Sequence, residues 1–70
     1  MTIEKIKKLV KDNRGVEHLF RFHGARNQVD EFKGVITAMY PVIFIVTLDE
    51  DHIRSFSYSD LLISNLEILD

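Results

Sequence analysis

Three histidines, a run of acids and a cluster of serines are the side chains here best equipped to do chemistry. Asp49, Glu50, Asp51 and His52 stand together and offer carboxylate oxygens with one imidazole. A calcium loop needs a longer layout, with a central glycine and a closing bidentate glutamate, and neither follows. A polar hairpin tip is the expected role of this run. His18 and His23 differ in parity, so one strand would point them to opposite faces, whereas zinc needs several ligands that converge. Ser55, Ser57, Ser59 and Ser64 lie near Asp60, without the strand-turn-helix elbow that activates a serine nucleophile. The chain has no cysteine. Disulfides, thiolate metal sites and cysteine nucleophiles are thereby excluded. The residues predict no catalysis, no metal site and no cofactor.

Charge is the next resource. The net charge is only -2, yet residues 1–33 hold eight of the nine Lys and Arg and balance to +3, while residues 34–70 balance to -5. Such asymmetry points to a partner surface. Lys5, Lys8, Arg14, Arg21 and Arg26 could track phosphates, with His23 adding a ring for a base to stack on. A nucleic-acid-binding domain typically has a pI above ~9, and this chain has about 5.8. Single-strand binders of this size also expose aromatics on a sheet, whereas most aromatics here fall at inward positions.

The elements that must position these groups can be read from periodicity. With 70 residues the chain makes one small domain, a helix over 1–14 and a barrel over 16–69. Ile3, Ile6, Leu9 and Val10 form an apolar stripe at helical spacing, with Thr2 to cap its start and Gly15 to stop it. After Gly15 the period becomes alternating. Val16, His18, Phe20 and Phe22 share one face of a first strand, and Val29 to Met39 makes a second. Gly34 inside that strand marks a bulge or a sharp bend. Tyr40-Pro41 ends it. In a third strand Val42, Phe44, Val46 and Leu48 face inward while Ile43 and Ile45 face out. Ile53 to Tyr58 forms a fourth strand, Ser59-Asp60 caps a single turn, and Leu66 to Leu69 closes the series. One helix and five short strands predict a mainly β fold, an SH3-like or Sm-like five-stranded barrel with the N-terminal α-helix over its open end. Phe20, Phe22, Phe32, Ile36, Phe44, Val46, Leu48, Phe56 and Leu66 are its expected core. No run approaches the ~20 apolar residues of a membrane span, and Met1 to Lys5 do not begin a signal peptide. A cytoplasmic protein without membrane contact is expected.

The segment from Gly34 to Asp49 follows the pattern G-[IV]-[LI]-x-x-x-Y-P-x-[VI]-F-x-[VI]-x-L-[DE], and Phe56 to Leu62 looks like a V-S-Y-x-D-[IV]-L box. In this order the two resemble the Veg family of Gram-positive bacteria, over residues 2 to 69. The resemblance implies a small SH3-like barrel without enzymatic activity, associated with transcriptional regulation and with stimulation of biofilm formation through protein contacts. Members usually carry several Arg and Lys in the loop after the first strand. Here that loop holds Arg26 with two acids, Asp30 and Glu31, close behind, which thins any nucleic-acid surface placed there.

The outward-facing Ile43 and Ile45 need a cover. The N-terminal helix is the nearer one, and another chain, in a homodimer or small homo-oligomer, is the alternative. The residues expected to bind a protein partner are Lys7, Lys8 and Lys11 on the helix, with Arg14, Arg26 and the corner residue Tyr40. RNA or DNA bound through the basic half of the chain is the alternative partner.

Overall fold

A computed structural model describes residues 2–24 and 27–69. Helix α1 spans Ile3–Asp12, with the Thr2 side chain accepting a hydrogen bond from the Lys5 backbone N–H at 3.3 Å. The cap supplies one orphan donor of the first turn with an acceptor. The Asn13 side-chain amide returns to the Leu9 carbonyl at 2.7 Å. Gly15 takes a left-handed φ of 83° and donates its N–H to the Ile36 carbonyl at 3.1 Å, which ties the helix end to the sheet.

Five antiparallel strands follow: β1 Glu17–His23, β2 Val29–Met39, β3 Ile43–Thr47, β4 Ile53–Ser57 and β5 Leu66–Ile68, with a short helix α2, Tyr58–Leu62, before the last. They form one sheet in the order β4-β3-β2-β1-β5. β2 pairs with β1 over Val29–Val35 and with β3 over Val35–Met39, so it serves both partners at once only at Val35. Gly34 stands beside that handover. A Cβ on it would lie 2.5 Å from Val46 Cγ1 and 3.2 Å from the Thr47 carbonyl oxygen. The glycine therefore permits the close approach of β3. The register shift that marks a bulge lies elsewhere, between Ile36 and Ala38.

The expected barrel does not close. Among the described residues β4 and β5 are edges and make no ladder with each other. The sheet instead curls until side chains meet across the gap: Phe22 of β1 and Phe56 of β4 have ring centroids 5.3 Å apart. These strands are separated in the sheet by β2 and β3, so contact between their inner faces measures the curl. Arg54 completes the seal. Its guanidinium lies 4.8 Å from the Phe32 ring, 5.1 Å from Phe56 and 5.4 Å from Phe22. Geometry of this kind is worth about 0.5–1 kcal/mol per contact at exposed sites, and more as the pair loses water.

Of the expected core, Phe20, Ile36, Phe44, Val46, Phe56 and Leu66 are buried, and Phe22, Phe32 and Leu48 pack against them half-exposed. Ile6 and Val10 bring the helix stripe into the same cluster, and Tyr58 joins it. Val42 departs from its expected inward position and is 70% exposed, because β3 begins one residue later, at Ile43. The cap of α2 also moves: Ser57 accepts from the Asp60 N–H at 3.3 Å while the Asp60 carboxylate accepts from the Ser57 N–H at 3.1 Å. This reciprocal capping box ends β4 before Tyr58 and converts that residue from strand to helix. Helix α1 does not cover the outer face of β3. Ile6 and Val10 of its stripe enter the inner core, Ile3 and Leu9 stay exposed, and Ile43 stays 38% exposed.

Candidate partner-binding surface

The six residues expected to bind a partner fall into three groups. Lys8, Lys11 and Arg14 are exposed along α1 and just beyond its end. Lys7 and Tyr40 come together through Tyr58, which alternation alone assigns to the end of a strand. Lys7 Nζ lies 5.4 Å from the centroid of the Tyr58 ring, and the Tyr58 hydroxyl donates to the Tyr40 carbonyl at 2.7 Å. Arg26 lies outside the described residues.

Tyr58 is the joint of this surface. Being N1 of α2, it is held by the Ser57–Asp60 box below and by its own N–H, which donates to the Val42 carbonyl at 3.3 Å. Only 2% of it is exposed, and burial pushes its phenol above the ordinary tyrosine range. One buried ring thus fixes the Tyr40-Pro41-Val42 turn on one side and carries a lysine ammonium on the other. The Tyr40 side chain is 55% exposed, and Val42 more so. A basic helix beside an exposed aromatic and aliphatic corner is the result. The sequence held a signal for Tyr58 in the spacing Ser57-x-x-Asp60, which is capping-box spacing with an acid at N3.

The proposed phosphate track is less well supplied. Arg21 pairs with Glu31, its cross-strand neighbour, at 3.3 Å, and His23 Nε2 lies 2.6 Å from Glu67 Oε1 on β5. Two members of the track therefore already face carboxylates. His52 Nδ1 lies 2.8 Å from Asp49 Oδ1, which also accepts from the Asp51 N–H at 2.9 Å. These bonds hold the Asp49 carboxyl below its usual range, the His52 bond contributing most. The tip is an internally bonded polar hairpin. His18 sits edge-on to Phe20, with centroids 6.4 Å apart. Among the described residues no three of His, Asp and Glu gather in metal-binding proximity. A groove of about 540 Å³ runs between α1, α2 and β5, its lining shared between apolar side chains such as Leu9, Leu61 and Leu62 and the polar Asn13, Ser64 and Glu67.

A family model described as the biofilm formation stimulator VEG matches residues 1–69. The chain belongs to the VEG family. No curated protein matches it. The family description names a stimulator of biofilm formation and not an enzyme. Among the described residues no helix is long and apolar enough to cross a membrane.

Proposed function

We propose that this VEG-family protein is a non-enzymatic regulatory module that influences gene expression and biofilm formation by binding another protein in the cytoplasm. The family description supports the biofilm role. The observation that carries the mode of action is the Tyr58 joint, which sets the exposed Tyr40 corner against the basic face of α1. Such a surface fits a partner that presents acids around an apolar anchor, since aromatic anchors supply contact energy and rim charges steer approach. The fold reading that goes with it is a small barrel of the SH3-like kind, left open at one seam. The meander order of the strands and the helical turn before β5 support that reading.

Reversing charge at two exposed positions, Lys8→Glu with Lys11→Glu, tests the surface in a host whose own copy of the gene is deleted. Biofilm stimulation is expected to fall severalfold while the melting temperature of the purified protein stays within a few degrees of wild type. Full stimulation by the double variant would show that the surface is wrong. Direct binding of RNA or DNA is the second reading, favoured by the exposed Lys5, Lys8, Lys11 and Arg14 and weakened by the carboxylates facing Arg21 and His23.

A further inference from the structure

We infer that strand β4 is a self-pairing edge, through which two copies of this chain join their sheets antiparallel about a two-fold axis at Ser55. The hydrogen bonds at both ends of β4 fix where its main-chain groups point. The Leu48 N–H donates to the His52 carbonyl at 2.9 Å, and the Tyr58 N–H to the Val42 carbonyl at 3.3 Å. Bonded pairs in an antiparallel ladder recur at every second residue. With the register Val46↔Arg54 and Phe44↔Phe56, this makes Arg54 and Phe56 the residues of β4 bonded to β3. Ile53, Ser55 and Ser57 turn their main-chain groups to the open side. The Ser57 N–H is taken by Asp60 and its carbonyl, at the N-cap of α2, accepts the first bond of that helix, which leaves only the carbonyl's second lone pair.

Over Ile53 to Ser55 this edge is lightly guarded, while the first turn of α2 engages its Ser57 end. Edge strands are ordinarily kept apart by being very short, by Lys or Pro, by a bulge or by an inward charge. β5 conforms, with three residues and the charged Glu67 at its centre. β4 has five residues in unbroken register and neither Lys nor Pro. Its one charge, Arg54, does point inward, yet the Phe22, Phe32 and Phe56 rings already hold it. In the two-fold register Arg54 comes opposite Phe56 of the second copy, another ring.

The side chains are self-complementary in that register. Ser55 meets its own copy at the axis, and each bonds the other through N–H and C=O. Ile53 falls opposite Ser57 of the second copy, where its N–H can reach only the second lone pair of a carbonyl that already caps α2. Ser57 is small and lies between Ile53 and the Ile43 that pairs with Ser57 within its own sheet. The two isoleucines can therefore close over the serine. Ile53 is 65% exposed and Ile43 38% in the single chain, so the pairing covers the apolar outer face that α1 leaves bare. Charge agrees as well. The acidic tip Asp49-Glu50-Asp51 precedes β4, while α2 follows it with Lys7 over Tyr58. Antiparallel pairing brings each acidic tip to the lysine end of the other copy. The Asp60 carboxylate at that end is engaged in its capping box. This interface shares its Lys7 end with the proposed regulatory contact, which otherwise uses the exposed helix face and Tyr40.

Sedimentation velocity on the purified full chain, from about 1 to 200 μM, reads the association directly. A two-chain species is expected, weakened severalfold as salt rises and Debye screening shortens. Ile53→Lys should return the protein to a single-chain species with unchanged far-UV circular dichroism. As an independent reading, Ser55→Cys gives the chain its sole cysteine. A short bis-thiosulfonate should then cross-link it efficiently, whereas the same linker should leave Asn65→Cys, beside β5, uncrosslinked. A single-chain species at the highest concentration would overturn the inference. So would an Ile53→Lys dimer as tight as wild type, or cross-linking through Asn65→Cys, which would place the interface on β5.

Discussion

Tyr58 and Gly34 show how single side chains govern this fold. The Tyr58 hydroxyl is buried and bonded to the Tyr40 carbonyl, and its phenol titrates above the ordinary value because burial disfavours the phenolate. A group whose folded pKa is raised stabilises the protein fully below its unfolded pKa and loses that contribution as pH rises through the folded one. Unfolding free energy should therefore decline from about pH 10 upward. Tyr58→Phe should remove that part of the alkaline decline and cost about 0.5–1.5 kcal/mol at neutral pH for the lost bond. Paired denaturant titrations of the two proteins from pH 8 to 11.5 check both statements, and equal alkaline slopes would contradict the first. At Gly34 an added methyl would strike Val46 Cγ1, part of a side chain with no exposure and no room to swing away. Gly34→Ala should destabilise the protein by about 1–3 kcal/mol, the usual cost of overpacking, measured as a lowered denaturant midpoint with unchanged slope.

At the scale of elements, parity along the strands was the legible part. Phe20, Ile36, Phe44, Val46, Phe56 and Leu66 all lie where alternation places them, and Ile6 and Val10 where helical spacing does. Errors collected at element ends, where a local cap overrides the period. Val42 follows the inward parity of Phe44 but belongs to the turn after Pro41, so it is exposed. Tyr58 continues the parity of Phe56, yet the Ser57–Asp60 box had already turned the chain into α2. Arg54 was also legible in principle, because it shares its face with Phe56. A charge at an inward position is intelligible only once Phe22 and Phe32 are known to surround it, and that is a tertiary fact. Of the expected binding residues, Lys7 and Tyr40 could not be joined from the sequence, since they meet only through Tyr58.

The whole molecule is an antiparallel sheet curled far enough for its first and fourth strands to share a core but not far enough to close. Closure could not be read from the strand count, because it depends on whether β4 and β5 reach one another. Here the meeting of Phe22, Phe32, Phe56 and Arg54 takes the place of a β4–β5 ladder. Two consequences follow at this scale. The open seam leaves β4 free to pair with a second copy, and the distribution of charge leaves a basic helix beside the Tyr40 corner. We propose that this surface recognises a protein and not a nucleic acid. The most direct test is a fluorescence anisotropy titration with mixed single- and double-stranded oligonucleotides at about 50 and 200 mM salt, the range over which phosphate-driven binding falls steeply. No saturable binding is expected at the lower salt up to about 10 μM protein, a concentration already inside the roughly 1–100 μM range of non-specific phosphate contacts. Micromolar or tighter binding that collapses at the higher salt would contradict the proposal and make the exposed lysines of α1 a phosphate track.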